Sequence, residues 1–500
     1  MTFKTSLKIA AIFVASMLSL QSCENFTDID QKGMNLLSKT SDLELLLNGV
    51  YFLDYVDLAT VNGDMIDGFE CGYIPSELEK TTKSTPIILL TLDEQAHSSV
   101  LPVTNSNDGY YSRCYSVIGR VCNPILSLVD EAEGSQEHKN RLKAEAYAMR
   151  AFFEYAAAQK YARVYNPATA DTEMCVPIVP ESWDIQNPTT QSTQKEVYAQ
   201  ILSDLDNAIS LDALPEVAIN RMRFCAAMPY AVKAHVLMSM QDYDGAAIAA
   251  SEALKRGNVI NDYADYLVDD MSTYGCPITK FVPVTPLDLE ENYFASSAQI
   301  NFNIIMPGSD KMFEDGSYMR DNLITTLLSE RGSFFPDDLV SDSLEILKSN
   351  ETYYGVPYNV TDDITSTHNH TGIKTTHMYL ILAECAINKG RIDEAMGYLD
   401  MIRVKRIAAS HYRPLFGNVT TRTEAIAALR RTAHGEYCYS IWNFITCKRW
   451  TILDDYKETR TRELLGKTYT LTPESDMWVF PFPVTIISQN PNIKNNYTTK

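Results

Sequence analysis

Apolar residues recur at helical spacing along much of the chain, most clearly over 141–163 (RLKAEAYAMRAFFEYAAAQKYAR). This run is rich in Ala, lacks Gly and Pro, and carries a wide apolar stripe, so it predicts a long helix. The run SDLELLLNGVYFLD begins with Ser41 or Asp42 as a cap before a second helical pattern. Residues 110–131 show the same character, with Tyr115, Ile118, Ile125 and Leu126 on one face. A helix is also predicted over 194–210, after a connection punctuated by Pro177, Pro180 and Pro188.

Two later stretches each read as a helix, a tight turn and a second helix. In the first, Tyr230, Ala234, Leu237, Tyr243, Ala246, Ala250 and Ala253 fall at tetratricopeptide spacing. In the second, Tyr379, Leu382, Ala383, Gly390, Ala395 and Leu399 do so. Small residues let paired helices approach closely while larger ones fill the groove. The remaining stretches lack that period. In 276–287 (CPITKFVPVTPL) prolines alternate with β-branched residues, which predicts short strands and loops. The expected architecture is mainly α: tetratricopeptide-like helix pairs forming a scaffold, with a large irregular, loop-rich lobe carrying short strands. The scaffold is expected over 41–257 and 376–407, and irregular, ligand-facing segments over 258–375 and 408–500, all within one body spanning 41–500.

The N-terminus has the parts of an export signal. Lys4 and Lys8 precede an apolar stretch from Ile9 to Leu18, followed by Leu20-Gln21-Ser22-Cys23. The apolar stretch is shorter than the roughly 20 residues a membrane span needs, so it reads as a removable signal. An apolar residue at −3 and a small one at −1, ahead of a cysteine, look like a bacterial lipobox. The expectation is a signal peptide over 1–22, lipid on Cys23, and a stalk over 23–40. A multi-chain lipid anchor holds stably where a single chain does not.

Composition narrows the function. The formal charge is −21, and losing Lys4 and Lys8 with no acid takes it to −23. That balance argues against nucleic acid, whose binders carry basic patches. Cys71, Cys114, Cys122, Cys175, Cys225, Cys276, Cys385, Cys438 and Cys447 are scattered, without a CxxC pair. Few or no disulfides are expected, and residues such as Cys225 and Cys385 read as small buried hydrophobes in helical patterns.

With these elements in place, the chain resembles the SusD/RagB family of surface nutrient-binding lipoproteins. Residues 45–51 (LLLNGVY) look like its first helix after the stalk. Ala144-Glu145-Ala146 with Arg150-Ala151 and Tyr155, followed by Val176-Pro177, resembles its "EA…LRA…Y" helix. Glu196-Val197-Tyr198 with Asp204-Leu205 and Ala208 resembles "evY…DL..A", while Ala383-Glu384 and Leu399 to Arg406 resemble "AE…LN.vR.R". The ending Pro481-Phe482-Pro483, Asn490-Pro491-Asn492 and Asn496 resembles "PIP…NPn…QN"; prolines fix extended chain and Asn side chains close turns. One helix departs. Residues 430–450 keep Glu436 and Arg449-Trp450 but lose other parts of an acidic and arginine-rich pattern. Apolar packing by Tyr439, Trp442 and Phe444 is the expected replacement for an ion network there.

The resemblance implies binding rather than catalysis: capture of glycan or peptide at the cell surface, in partnership with a SusC-like, TonB-dependent outer-membrane transporter. It also implies outer-membrane localisation, facing outward. Sugars stack on flat aromatic faces while polar neighbours take the hydroxyls. Most of the 29 tyrosines are expected in helix packing. The ligand-binding candidates are those in irregular stretches: Tyr73, Tyr274, Tyr293, Phe294, Tyr318 and Arg320. His368, His370 and His377 lie within ten residues and read either as a zinc-binding set or as a solvated loop; no metal or cofactor is assigned. Acids such as Asp204, Asp206, Glu384 and Asp393 lie on predicted helices and read as solvating or capping residues. No G-x-S-x-G or P-loop pattern appears, so no catalytic residue is assigned. A reading of a different class remains open, a tetratricopeptide-like scaffold that binds other proteins.

Overall fold

A computed structural model describes residues 37–52, 65–66, 69–70, 83–105, 108–182, 188–270, 278–281, 289–295, 300–301, 304–305, 314, 317, 365–366, 369, 371–437, 440–464 and 467–497. The longer helices among them are α1 (Thr40–Asn48), α2 (Gly109–Val117), α3 (Gln136–Tyr161), α4 (Gln194–Leu211), α5 (Met228–Ser239), α6 (Tyr243–Arg256), α7 (Thr375–Asn388), α8 (Ile392–Arg403), α9 (Arg422–Tyr437) and α10 (Ile441–Trp450). No helix among the described residues is long and apolar enough to cross a membrane.

The central element is α3. Ser135 Oγ accepts the amide of His138 at 3.2 Å to start it, and nearly every residue from Leu142 onward is buried. A helix buried on all sides cannot leave its last carbonyls to water. The C-terminal half of the chain satisfies them here. Lys448 Nζ donates to the carbonyls of Gln159 and Ala162 at 2.5 and 2.6 Å. The amide of Phe480 donates to Lys160 O at 2.9 Å, and Asn496 Nδ2 to Tyr161 O at 2.7 Å. Phe482 stacks on Tyr161 with ring centroids 5.2 Å apart. The Pro- and Asn-rich ending is thus a strap that closes the helix end.

From α3 the helices form a row in which each packs on the next, α4 on α3, α5 on α4, and so on through α8 to α9. Thr193 and Glu196 cap α4 reciprocally, the Thr193 amide donating to Glu196 Oε2 at 2.8 Å and the Glu196 amide to Thr193 Oγ1 at 3.3 Å. Gln241, at φ 63°, turns α5 into α6, and Gly390, at φ 72°, turns α7 into α8. Gly390 occupies the left-handed region where a side chain is costly. Ala246, Ala249, Ala250 and Ala253 line the buried face of α6, and Ala383, Ala386 and Ala395 lie buried in α7 and α8. These are the helix pairs predicted from small-residue spacing, and the scaffold is tetratricopeptide-like.

Strands are short and pair only in twos among the described residues. Met174–Pro177 with Gln191–Thr193, and Leu267–Asp270 with Ile278–Phe281, are antiparallel. Asn292–Phe294 pairs with Ile373–Lys374, so the two ends of the long excursion between α6 and α7 meet beside the scaffold. The lobe expected from the sequence falls in this excursion, most of which lies outside the described residues. The 408–500 segment is less irregular than expected. It holds α9, α10 and a hairpin of Arg460–Leu464 with Lys467–Leu471. Their apolar faces complete the core: Trp442 and Phe444 are fully buried.

Candidate functional site

Of the residues singled out for ligand contact, Tyr73, Tyr274, Tyr318 and Arg320 lie outside the described residues, as do Cys23 and the stalk. Tyr293 and Phe294 are core residues, which corrects the expectation of a loop. They sit on the strand Asn292–Phe294 with 5 % and 4 % exposure. Tyr293 donates its hydroxyl to Gly257 O at 2.5 Å. Phe294 packs edge-on to Phe224 and Phe152 at centroid distances of 5.1 and 5.9 Å. Neither ring has a free face to offer a sugar. The strand's role is to anchor the base of the lobe.

His368 and His370 also lie outside the described residues. His377 lies in the first turn of α7 and is buried rather than solvated, edge-on to His235 at 5.6 Å and to Tyr437 at 4.7 Å. His235 stacks on Trp442 at 3.9 Å. Burial drives both imidazoles below their ordinary range, so they act as neutral aromatic packing. No metal-ligating group of three or more residues occurs among the described residues. Cys114, Cys122, Cys175, Cys225, Cys385 and Cys447 are buried free thiols, with Cys225 just ahead of α5 rather than within it.

The acids read as solvated are, in two cases, halves of buried ion pairs. Asp204 takes Arg150 Nε and Nη2, both at 2.7 Å. Glu384 takes Arg449 Nη1 and Nη2 at 2.5 and 2.6 Å, and Trp450 Nε1 at 3.2 Å. Asp206 meets Lys233 at the surface, and Asp393 is exposed. A third pair joins Arg223 to Glu145 at 2.6 and 2.5 Å, with Glu44 on its other edge at 2.8 Å. Bidentate geometry of this kind makes a buried charge tolerable.

The departure at 430–450 resolves the same way. The helix is broken in two, with Ser440 capping α10, and the ion network persists rather than giving way to apolar packing. Glu436 accepts Arg406 Nε at 2.6 Å, Lys374 Nζ at 3.0 Å and Thr376 Oγ1 at 2.7 Å. Burial alone would raise the Glu436 carboxyl, but Arg406 and Lys374 hold it below the ordinary carboxylate range. Arg406 also reaches Glu291 at 2.8 Å and lies 3.7 Å from the centroid of the Tyr263 ring. Glu291 in turn accepts the amide of Asn261 at 3.0 Å. The network therefore ties the two ends of the lobe to α8 and α9. Trp442 and Phe444 pack beside these charges without replacing them; Tyr439 lies outside the described residues.

Where α8 runs out against α9, a cleft of about 30 Å³ opens among Arg403, Arg406, Arg431, Thr432, Gly435 and Glu436. Glu314 and Ser317 close its far side. Glu314 meets Arg403 Nη2 at 2.7 Å, and Ser317 pairs antiparallel with Ile407. Sequence reading missed this cleft because its walls come from three separated segments. Among the described residues its walls carry three guanidiniums, the carboxylates of Glu314 and Glu436, and the side chains of Ser317 and Thr432.

Residues 76–237 match a SusD-like family whose description reads "Starch-binding associating with outer membrane". Solved structures share the fold across nearly the whole chain. A SusD superfamily protein from Bacteroides thetaiotaomicron superposes with a TM-score of 0.63 at 18 % identity, covering 92 % of this chain and 100 % of its own. A SusD-like carbohydrate binding protein from Bacteroides vulgatus gives 0.60 at 17 % identity, covering 92 % and 98 %. A SusD superfamily protein from Bacteroides fragilis gives 0.60 at 18 %, covering 92 % and 100 %. No curated protein matches.

Proposed function

We propose that this chain, SusD-like in its 76–237 segment and in fold, is a cell-surface lipoprotein that captures glycan for uptake. The observation that carries the reading is the match of 76–237 to a family described as starch-binding and associated with the outer membrane. The carbohydrate-binding neighbour of the same fold supports it. Capture suits a scaffold in which Glu145, Asp204 and Glu384 are each committed to an arginine. The lipid on Cys23 would hold the protein at the outer membrane. A SusC-like, TonB-dependent barrel would receive the glycan.

Tyr73, Tyr274, Tyr318 and Arg320 are the proposed ligand contacts. Ser317, which precedes Tyr318 in the chain, lines the cleft between α8 and α9. Affinity electrophoresis through gels carrying single polysaccharides tests the reading directly. Retardation by at least one polysaccharide is expected, and its loss on substitution of the four contacts with Ala. Unretarded migration in every gel of a broad panel, together with capture of protein partners alone, would favour the scaffold reading instead.

A further inference from the structure

Among the residues whose side chains are described, Phe416 is the only phenylalanine, tyrosine or tryptophan with most of its surface exposed, at 58 %. It lies in the connection from α8 to α9, and its ring rests on α8: a Cβ built on Gly397 would stand 3.8 Å from Phe416 Cδ2. Met401, one turn further along α8, and Val404, just past its end, are exposed at 46 % and 48 %. At about 100° per residue, positions 397, 401 and 404 share one side of the helix. Ile402 and Arg403 turn the other way, into the cleft against α9.

The backbone beneath the ring is held in place. The amides of Leu415 and Phe416 both donate to Asp400 Oδ2, at 2.7 and 2.9 Å. Arg403 Nη1 donates to Asp400 Oδ1 at 2.6 Å and to Arg413 O at 2.9 Å. Gly417, at φ 72°, turns the chain, and Asn418 Nδ2 donates to Pro414 O at 3.1 Å. The ring is thus presented to solvent by a fixed backbone, and little ordering is left for a ligand to impose.

We infer that Phe416, with Met401 and Val404 beside it, is a stacking platform that takes one or two pyranose rings of a glycan chain by an apolar C–H face. The inference rests on the glycan-capture reading and adds a contact surface to it. Size decides the occupant. Three such side chains, each about half exposed, offer on the order of 300 Å², against about 800 Å² per partner in a stable protein interface. A sugar ring needs a flat apolar face with polar groups at its edge. Arg413 and Asn418, exposed on either side of Phe416 in the chain, supply hydrogen-bonding groups there. One stacked ring binds weakly alone. When the same polysaccharide also engages the contacts proposed above, the platform adds affinity by holding a second point of the chain.

Affinity electrophoresis of the full chain through gels carrying soluble starch, xylan, galactan or pectin, one per gel, tests this. In the gel that retards wild type most, Phe416→Leu, which keeps the apolar volume but loses the flat face, should bind at least threefold more weakly. Phe416→Trp should bind at least as tightly as wild type. Met401→Gln, which lies outside the turn, should also weaken binding and serves as the second variant should Phe416→Leu lower the thermal melt. Leu and Gln variants retarded as strongly as wild type, or a Trp variant no better than Leu, would overturn the platform and leave glycan capture standing. Wild type unretarded in every gel would overturn both.

Discussion

Lys448 is an amine in the middle of the protein with no carboxylate to meet it among the described residues. It is 1 % exposed, and its hydrogen bonds go to the carbonyls of Gln159 and Ala162 at the end of α3. Burial pulls its pKa from 10.5 down to about 7. In the unfolded chain the ordinary value returns, so between pH 7 and 10.5 the unfolded state holds a proton that the folded state has lost. Stability from this group therefore rises with pH, starting near pH 7. With a folded pKa of about 7, linkage gives a gain of about 2 kcal/mol between pH 6.5 and 8.5. Glu154, which burial raises to about 8, works in the opposite direction over part of that range. The comparison is therefore made between proteins, in which Glu154 cancels. Urea denaturation of wild type and Lys448→Met at pH 6.5 and 8.5 should show wild type gaining about 2 kcal/mol relative to the variant. Parallel pH dependences would refute the reasoning, and would mean that the two carbonyls and the negative end of α3 hold the ammonium charged.

Removing one half of the Arg449–Glu384 pair by Glu384→Ala leaves a guanidinium buried and unmatched, at a cost of roughly 3–5 kcal/mol; a urea midpoint within error of wild type would contradict this. His97, His235 and His434 are held by burial at about 4, 3 and 3. As pH falls through 6.5 the unfolded chain binds protons that the folded chain refuses, so stability present above pH 6.5 is lost towards pH 4. Each histidine contributes at most about 1.4 kcal/mol per pH unit, and thermal melts from pH 7 to 4.5 should fall less steeply for His235→Phe than for wild type. Cys23→Ala should move the protein from the membrane fraction to the soluble fraction; a variant that still sediments with outer membranes would refute the tether.

The helix pairs were legible because their signal is local. Tyr230 to Ala253, and Tyr379 to Leu399, repeat small and large residues within about 25 positions, and tight turns at Gln241 and Gly390 separate the helices. The 408–500 segment was not legible in the same way. Helix α10 carries Asn443, Thr446, Lys448 and Arg449 on buried faces, so its burial does not show as an apolar stripe. Tyr293 and Phe294 misled for a related reason. An isolated three-residue strand has no period to read, and its partner Ile373–Lys374 is distant in the sequence.

The motif residues that gave the resemblance have a physical role that their spacing did not reveal. Glu145, Arg150, Asp204, Glu384, Arg403 and Arg406 each make an ion pair that joins separate parts of the chain. Replacing an apolar core residue by another of similar volume costs little, whereas removing one member of a buried pair strands the other. A fold held by such pairs can vary its apolar residues widely while keeping these few positions. In the structural neighbours, TM-scores near 0.6 over 92 % of the chain accompany only 17–18 % identity. Charges closed in pairs between separate segments hold the helices together.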